Sequence, residues 1–90
     1  MHRFKVIISG QVQGISFRNF IKERAKELDL KGYVKNKDKN KIEILVEGHE
    51  LIINKLIDFC NRGPLGAEVK SITKQKEPYK AEFKEFKIKA

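Results

Sequence analysis

Between Arg3 and Ser9 the apolar positions Phe4, Val6 and Ile8 alternate, and Ile7 makes the run nearly continuous, which predicts a central β-strand. A glycine-punctuated loop follows, from Gly10 to Gly14. Phe17, Phe20, Ile21, Ala25 and Leu28 then recur at helical spacing and predict a helix from about Ser16 to Leu28, with Ser16 as its N-cap. Gly32 to Asn36 predicts a short strand, Lys37 to Asn40 a polar turn, and the alternation of Ile42, Ile44 and Val46 a strand from Lys41 to Glu47. Together these make a β-hairpin. A second helix gathers Ile52, Ile53, Leu56, Ile57 and Cys60 on one face and stops at Gly63-Pro64. There glycine tolerates a left-handed cap and proline cannot continue the helix. Ala67 to Lys74 predicts a weaker strand, because Val69 and Ile72 break period two, and Phe86 and Ile88 mark a short last one.

The predicted order is β-α-β-β-α-β with an extra C-terminal strand. Two helices cannot bury their apolar stripes on each other alone, so they pack on one face of an antiparallel sheet. The expected class is therefore α+β, a ferredoxin-like α/β sandwich. That architecture serves many functions, so function must come from a site.

Composition narrows the field. Ninety residues, 40% hydrophobic and 36% charged, predict a single domain over residues 1–90 with one modest core. No apolar run approaches the ~18 residues that span a bilayer, and no signal-peptide pattern opens the chain. The one cysteine, Cys60, rules out an internal disulfide framework and fits a reducing compartment, so a cytoplasmic location is expected. Cys60 falls in the apolar stripe of the second helix and is expected in the core; a cysteine phosphatase loop would need arginine at position 66, which is Gly66. The net charge of +8 comes from 20 Lys and Arg against 12 Asp and Glu. Such a surface attracts anions, although lysine excess also serves solubility alone.

The first strand–helix junction is the candidate chemistry. Gly10 and Gly14 let the backbone turn tightly beside a ligand. The loop feeds a helix N-terminus, where unpaired N–H groups and the positive dipole end favour an anion. Arg18 falls in the first helical turn, where a cation is disfavoured by ~0.3–1 kcal/mol. A bound phosphate reverses that penalty, because arginine grips two oxygens in a bidentate fork. The backbone amides of Gln13, Gly14, Ile15, Ser16, Phe17 and Arg18 supply the other donors. The alternative is an ordinary glycine-containing loop beside an exposed arginine, and the residue types alone leave both open. Neither G-x-x-x-x-G-K-[ST] nor G-x-G-x-x-G is present.

The run Gly10-Gln11-Val12-Gln13-Gly14-Ile15-Ser16-Phe17-Arg18 resembles the first signature of the acylphosphatases, G-x-V-Q-G-V-x-[FY]-R, with Ile15 for the commoner valine. Gly32-Tyr33-Val34-Lys35-Asn36 is similar to their second signature, except that Asn40 replaces a glycine four residues on. Asparagine tolerates positive φ, so that turn can survive. Gly63-Pro64 with Ala67 and Val69, and Phe83, Phe86 and Ile88, extend the resemblance over nearly the whole chain. The resemblance implies hydrolysis of a small acyl phosphate, with Arg18 gripping the phosphate and Asn36 holding the attacking water. It implies inorganic phosphate as product and inhibitor. It implies no metal and no organic cofactor. A monomer with no membrane partner is expected.

The chemistry suits these residues. The leaving carboxylate is the conjugate base of an acid of pKa ~4 and departs without a general acid. Phosphoryl transfer has a loose transition state, so positioning and charge stabilisation dominate. No His/Cys/Asp/Glu group has metal-ligand spacing, and His2 and His49 are expected at the surface. Two other readings remain. A basic ferredoxin-like domain could bind RNA, but Lys31-Gly32-Tyr33 starts an RNA-recognition motif that Val34 and Lys35 do not continue. An acylphosphatase-like domain could also act as a regulatory module with little turnover.

Overall fold

The computed structural model describes residues 1–89. Its elements are β1 (His2–Gln11), α1 (Ile15–Glu27), β2 (Lys31–Asp38), β3 (Lys41–Gly48), α2 (Glu50–Arg62), β4 (Glu68–Glu77) and β5 (Phe86–Ile88). The sheet order is β4-β1-β3-β2-β5. The four long strands are antiparallel as expected, whereas β5 joins the β2 edge in parallel and makes the sheet mixed. A three-residue strand gives no register or direction signal in sequence. Its direction follows from the crossing of residues 78–85 from the β4 edge to the β2 edge.

Alternation in β1 and β3 sorts the two faces. Phe4, Val6 and Ile8 meet Val46, Ile44 and Ile42 in register, and these six are buried under the helices. α1 lies over β2 and β5, and α2 over β3 and β4. Phe17 and Ile21 from α1 and Ile53, Leu56 and Cys60 from α2 close the core. Phe17 is 1% exposed and stacks edge-on to Phe20. Truncating such a ring to alanine costs about 3–5 kcal/mol, so the start of α1 is firmly pinned.

The other face is polar yet partly covered. Arg3, Glu43 and Glu47 are buried there. The crossing segment donates the Lys80 and Glu82 amides to the Glu47 carboxylate at 3.0 and 3.2 Å, and Glu82 pairs with Arg3 at 2.5 Å. Tyr33 donates its hydroxyl to Glu43 at 3.0 Å, and its ring is covered by Lys89 at 4.3 Å. Base-stacking modules need free aromatic faces on the open sheet, and this one is occupied.

The irregular apolar spacing of β4 has a local cause. The β1–β4 register shifts between Ser9 and Gly10, so Gly10 pairs with Val69 and Ser9 with Ser71. The extra residue, Lys70, is a β-bulge that lets Val69 and Ile72 both pack against the core. The bulge also explains Gly10, because a Cβ there would run into the Glu68 carbonyl.

Candidate active site

The segment Gly10 to Arg18 is held by two apolar pegs and one polar one. Val12 and Phe17 are buried, 0% and 1% exposed, and fix both ends of the turn. Between them Gln13 reaches across to the β2–β3 hairpin. Its Nε2 donates to the Asp38 carbonyl at 2.6 Å and to the Lys41 carbonyl at 3.3 Å. A third tie is the Gly10 amide, which donates to the Asn40 carbonyl at 3.0 Å. The loop is thus strapped to the hairpin end that carries Asn36. Asn40 makes this turn without positive φ, since the non-glycine residues with positive φ among those described are Asp29 and Ala81. An Asp38 Oδ1 acceptor for the Asn40 amide at 3.2 Å takes the place of the glycine turn.

The helix start differs from the expectation. Gly14, not Ser16, stands at the N-cap, with φ 117°, and no side chain caps the helix. Ser16 falls inside the first turn, so its hydroxyl cannot serve the amides two and three residues ahead in the N-cap manner. The contrast with α2 is informative. There the His49 carbonyl accepts the Ile52 and Ile53 amides at 3.0 and 2.9 Å. Among the described residues, no equivalent bond reaches the Gly14 carbonyl. The first amides of α1 have no side-chain acceptor, and the opening amides of a helix have no partner within it. A Cβ built on Gly14 would meet nothing within 4 Å, so the space beside Gly14 is open. Glycine is required there by its φ, not by crowding.

Arg18 is half-buried in this turn. Among the described residues its Nε is buried without a hydrogen-bond partner, and no carboxylate stands in the first turn of α1. Arg3 and Arg24 also have a buried Nε without a hydrogen bond, but each has a carboxylate beside its guanidinium, and among the described residues Arg18 has none. A cation left unpaired at the positive end of a helix raises the local potential and favours an incoming anion.

Asn36 shares a face with Gly32 and Val34 and pairs with Ile42, which itself pairs with Ile8 of β1. Asn36 therefore lies in the row of the sheet just before the loop, two strand spacings or about 10 Å from β1. The β2–β3 register shifts between Asn36 and Asp38, so a bulge at Lys37 follows Asn36 directly. Bulges of this kind re-aim the neighbouring side chain. Asn36 is exposed at the helix-side rim of the sheet. Arg18, the loop amides and Asn36 come to the same end of the sheet, as the strand directions require.

A cleft of about 390 Å³ lies elsewhere, at the β2–β5 edge beside Tyr33 and Phe83. Its Lys87 is paired with Glu85 and its Lys89 rests on Tyr33. It offers no exposed helix start. Sequence reasoning missed the Gln13 side chain, which it used only for its amide. The signal was a glutamine between two glycines and a buried valine, but its partners were backbone carbonyls and so invisible as residue types. His2 is half-buried and His49 exposed, and Cys60 is buried, where burial pushes its thiol up from 9.0 to about 12. Among the described residues no group of His, Cys, Asp and Glu could hold a metal ion, and no helix is long and apolar enough to cross a membrane.

The fold is a ferredoxin-like α+β domain whose first strand–helix junction carries Arg18 and no capping side chain. Comparison with known proteins makes the family specific. A family model described as Acylphosphatase matches residues 4–88. An acylphosphatase of Pyrobaculum aerophilum is 43% identical over 89 residues, covering 98% of this chain and 94% of that protein. One from Aeropyrum pernix is 39% identical over 88 residues, covering 97% and 87%. The crystal structure of acylphosphatase from Bacillus subtilis superposes with a TM-score of 0.94 at 30% identity, covering all of both chains. The chain belongs to the acylphosphatase family.

Proposed function

We propose that this chain is an acylphosphatase that hydrolyses the carboxyl–phosphate bond of small acyl phosphates by direct attack of water. The observation that supports it most is Arg18, whose Nε is buried without a hydrogen-bond partner among the described residues, in the first turn of a helix that no side chain caps. Arg18 grips two phosphate oxygens, and the amides from Gln13 to Arg18 take the remaining equatorial charge. Asn36 orients a water through its side-chain amide. The water oxygen forms a bond to phosphorus as the bond from phosphorus to the acyl oxygen breaks. The electron pair leaves on the carboxylate, and the proton of the water ends on phosphate or solvent. No general acid is needed, because the carboxylate is a good leaving group. Inorganic phosphate fits the same donors, so it is both product and competitive inhibitor. A cytoplasmic monomer is the working assembly, consistent with a free, buried cysteine.

The test is release of phosphate from acetyl or benzoyl phosphate by the purified protein in excess chelator. Saturable turnover inhibited by inorganic phosphate is expected. Failure on every acyl phosphate tried would overturn the enzyme reading.

A further inference from the structure

On the far side of the loop from Asn36 lies a shallow depression of about 130 Å³. Its walls are the loop residues Gln11, Gln13 and Ser16 and the turn residues Pro64, Leu65 and Ala67. The register explains the contact: Gln11 pairs with Glu68, which brings the end of the α2–β4 turn against the loop. Two features set the depression apart. In a chain that is 36% charged, no charged side chain lines it. And Leu65, the most exposed large hydrophobic residue at 106%, stands on its rim.

Sheet order fixes its relation to the reaction. Asn36 is on β2, the depression adjoins the start of β4, and the loop follows β1, which lies between them in the order β4-β1-β3-β2. Displacement at phosphorus puts the attacking and leaving oxygens roughly in line. With water on the β2 side of the cradle, the leaving carboxylate points toward β4. We infer that the depression between the loop and the Pro64–Ala67 turn receives the acyl half of the substrate and selects short, uncharged acyl groups, with Leu65 as the wall that sets this preference. This inference rests on the proposed function. The volume is far below the ~300–1,000 Å³ of pockets that enclose drug-sized ligands, so long acyl chains find no further walls. A second carboxylate on the acyl group meets no cation there, only the neutral side chains of Gln11, Gln13 and Ser16 and the apolar Leu65 and Pro64, so the loss of its hydration is not offset by a charge partner.

The test compares kcat/KM for acetyl, benzoyl and succinyl phosphate in the wild type, Leu65→Ala and Leu65→Lys, with the Ki of inorganic phosphate measured alongside. The wild type prefers benzoyl over succinyl phosphate. Leu65→Ala lowers the benzoyl-to-acetyl ratio about 3–10-fold, in line with small changes in an apolar contact. Leu65→Lys narrows the discrimination against succinyl phosphate by about fivefold or more, through a new cation beside the carboxylate. The Ki of phosphate stays within twofold in Leu65→Ala, because Arg18 and the loop amides, the proposed phosphate donors, are unchanged. Substrate ratios unchanged in both variants overturn the acyl subsite and leave the function standing. A wild type inert on all three substrates overturns the function itself. Leu65 is fully exposed, so both variants should melt with the wild type, which a thermal scan verifies.

Discussion

Gln13 Nε2 donates to the Asp38 carbonyl oxygen at 2.6 Å and thereby ties the Gly10–Arg18 loop to the strand that carries Asn36. Arg18 and Asn36 sit on different elements, eighteen positions apart, and neither sequence distance nor helix geometry alone sets their separation. A side chain spanning loop and hairpin does. Catalysis that depends on aligning a water with a phosphate is sensitive to shifts of ~1 Å, so under the proposed mechanism this strap bears on turnover.

Gln13→Ala should accordingly lower kcat about tenfold or more while changing the Ki of inorganic phosphate less than threefold. The reason is that the backbone amides remain while their alignment with Asn36 loosens. Gln13→Glu cannot substitute, since a carboxylate has no hydrogen to donate to two carbonyls. Steady-state kinetics on benzoyl phosphate with phosphate inhibition checks both. Equal loss of phosphate affinity and turnover would place Gln13 in binding instead.

Asn36→Ala should reduce turnover at least a hundredfold, the scale associated with losing one preorganised polar group, and largely spare phosphate inhibition. The melting temperature should move little, because Asn36 is exposed and its strand is held by β3. Near-normal turnover in this variant would remove the water-holding role.

Glu47→Ala tests the opposite face. The Glu47 carboxylate is 3% exposed, pairs with Arg3 at 3.9 Å and accepts two amides of the crossing segment. Breaking it leaves a buried arginine short of a partner, which costs about 3 kcal/mol, the low end of the range because Glu77 and Glu82 remain. Chemical denaturation measures the loss. A change below about 1 kcal/mol would mean that Glu77 and Glu82 suffice.

Cys60 gives a pH signature. Burial pushes its thiol up to about 12 in the fold, against 9.0 for an unhindered one. The folded thiol holds its proton more tightly than the unfolded one. Its contribution to stability is therefore complete below pH 9 and is lost as pH rises from 9 toward 12. The slope is at most about 1.4 kcal/mol per pH unit. Cys60→Ala lacks this component, so the difference in unfolding free energy between the two proteins should shrink as pH is raised from 8 to 10.5. A difference that stays constant over that range would show that the thiol does not stay protonated. In the folded wild type, thiol reagents should react only at the rate of unfolding.

How much of this was legible in the residues differs by element. The stripes of α1 and α2 and the Gly63-Pro64 stop could be read directly, because helix period and caps are local. Gly10, Gly14 and Arg18 suggest an anion site at the first strand–helix junction, and the resemblance adds Asn36; the role of each is part of the proposed function. Three things were hidden. Ser16 looked like a cap because it is a good capping residue, but Gly14, at φ 117°, already turns the chain into the helix. Val69 and Ile72 looked like weak strand evidence because the bulge opposite Ser9 and Gly10 is a property of two strands at once. The direction of β5 and the strap from Gln13 depend on backbone groups, which residue identity does not report.

The measurement closest to the central claim is steady-state release of phosphate from benzoyl phosphate, in excess chelator, by the wild type and by Arg18→Ala. The wild type should turn over and be inhibited by inorganic phosphate. Arg18→Ala should lose at least a hundredfold in kcat/KM together with that inhibition, while melting no lower, since it sheds a cation from the positive end of α1. Equal rates in the two proteins would contradict the account.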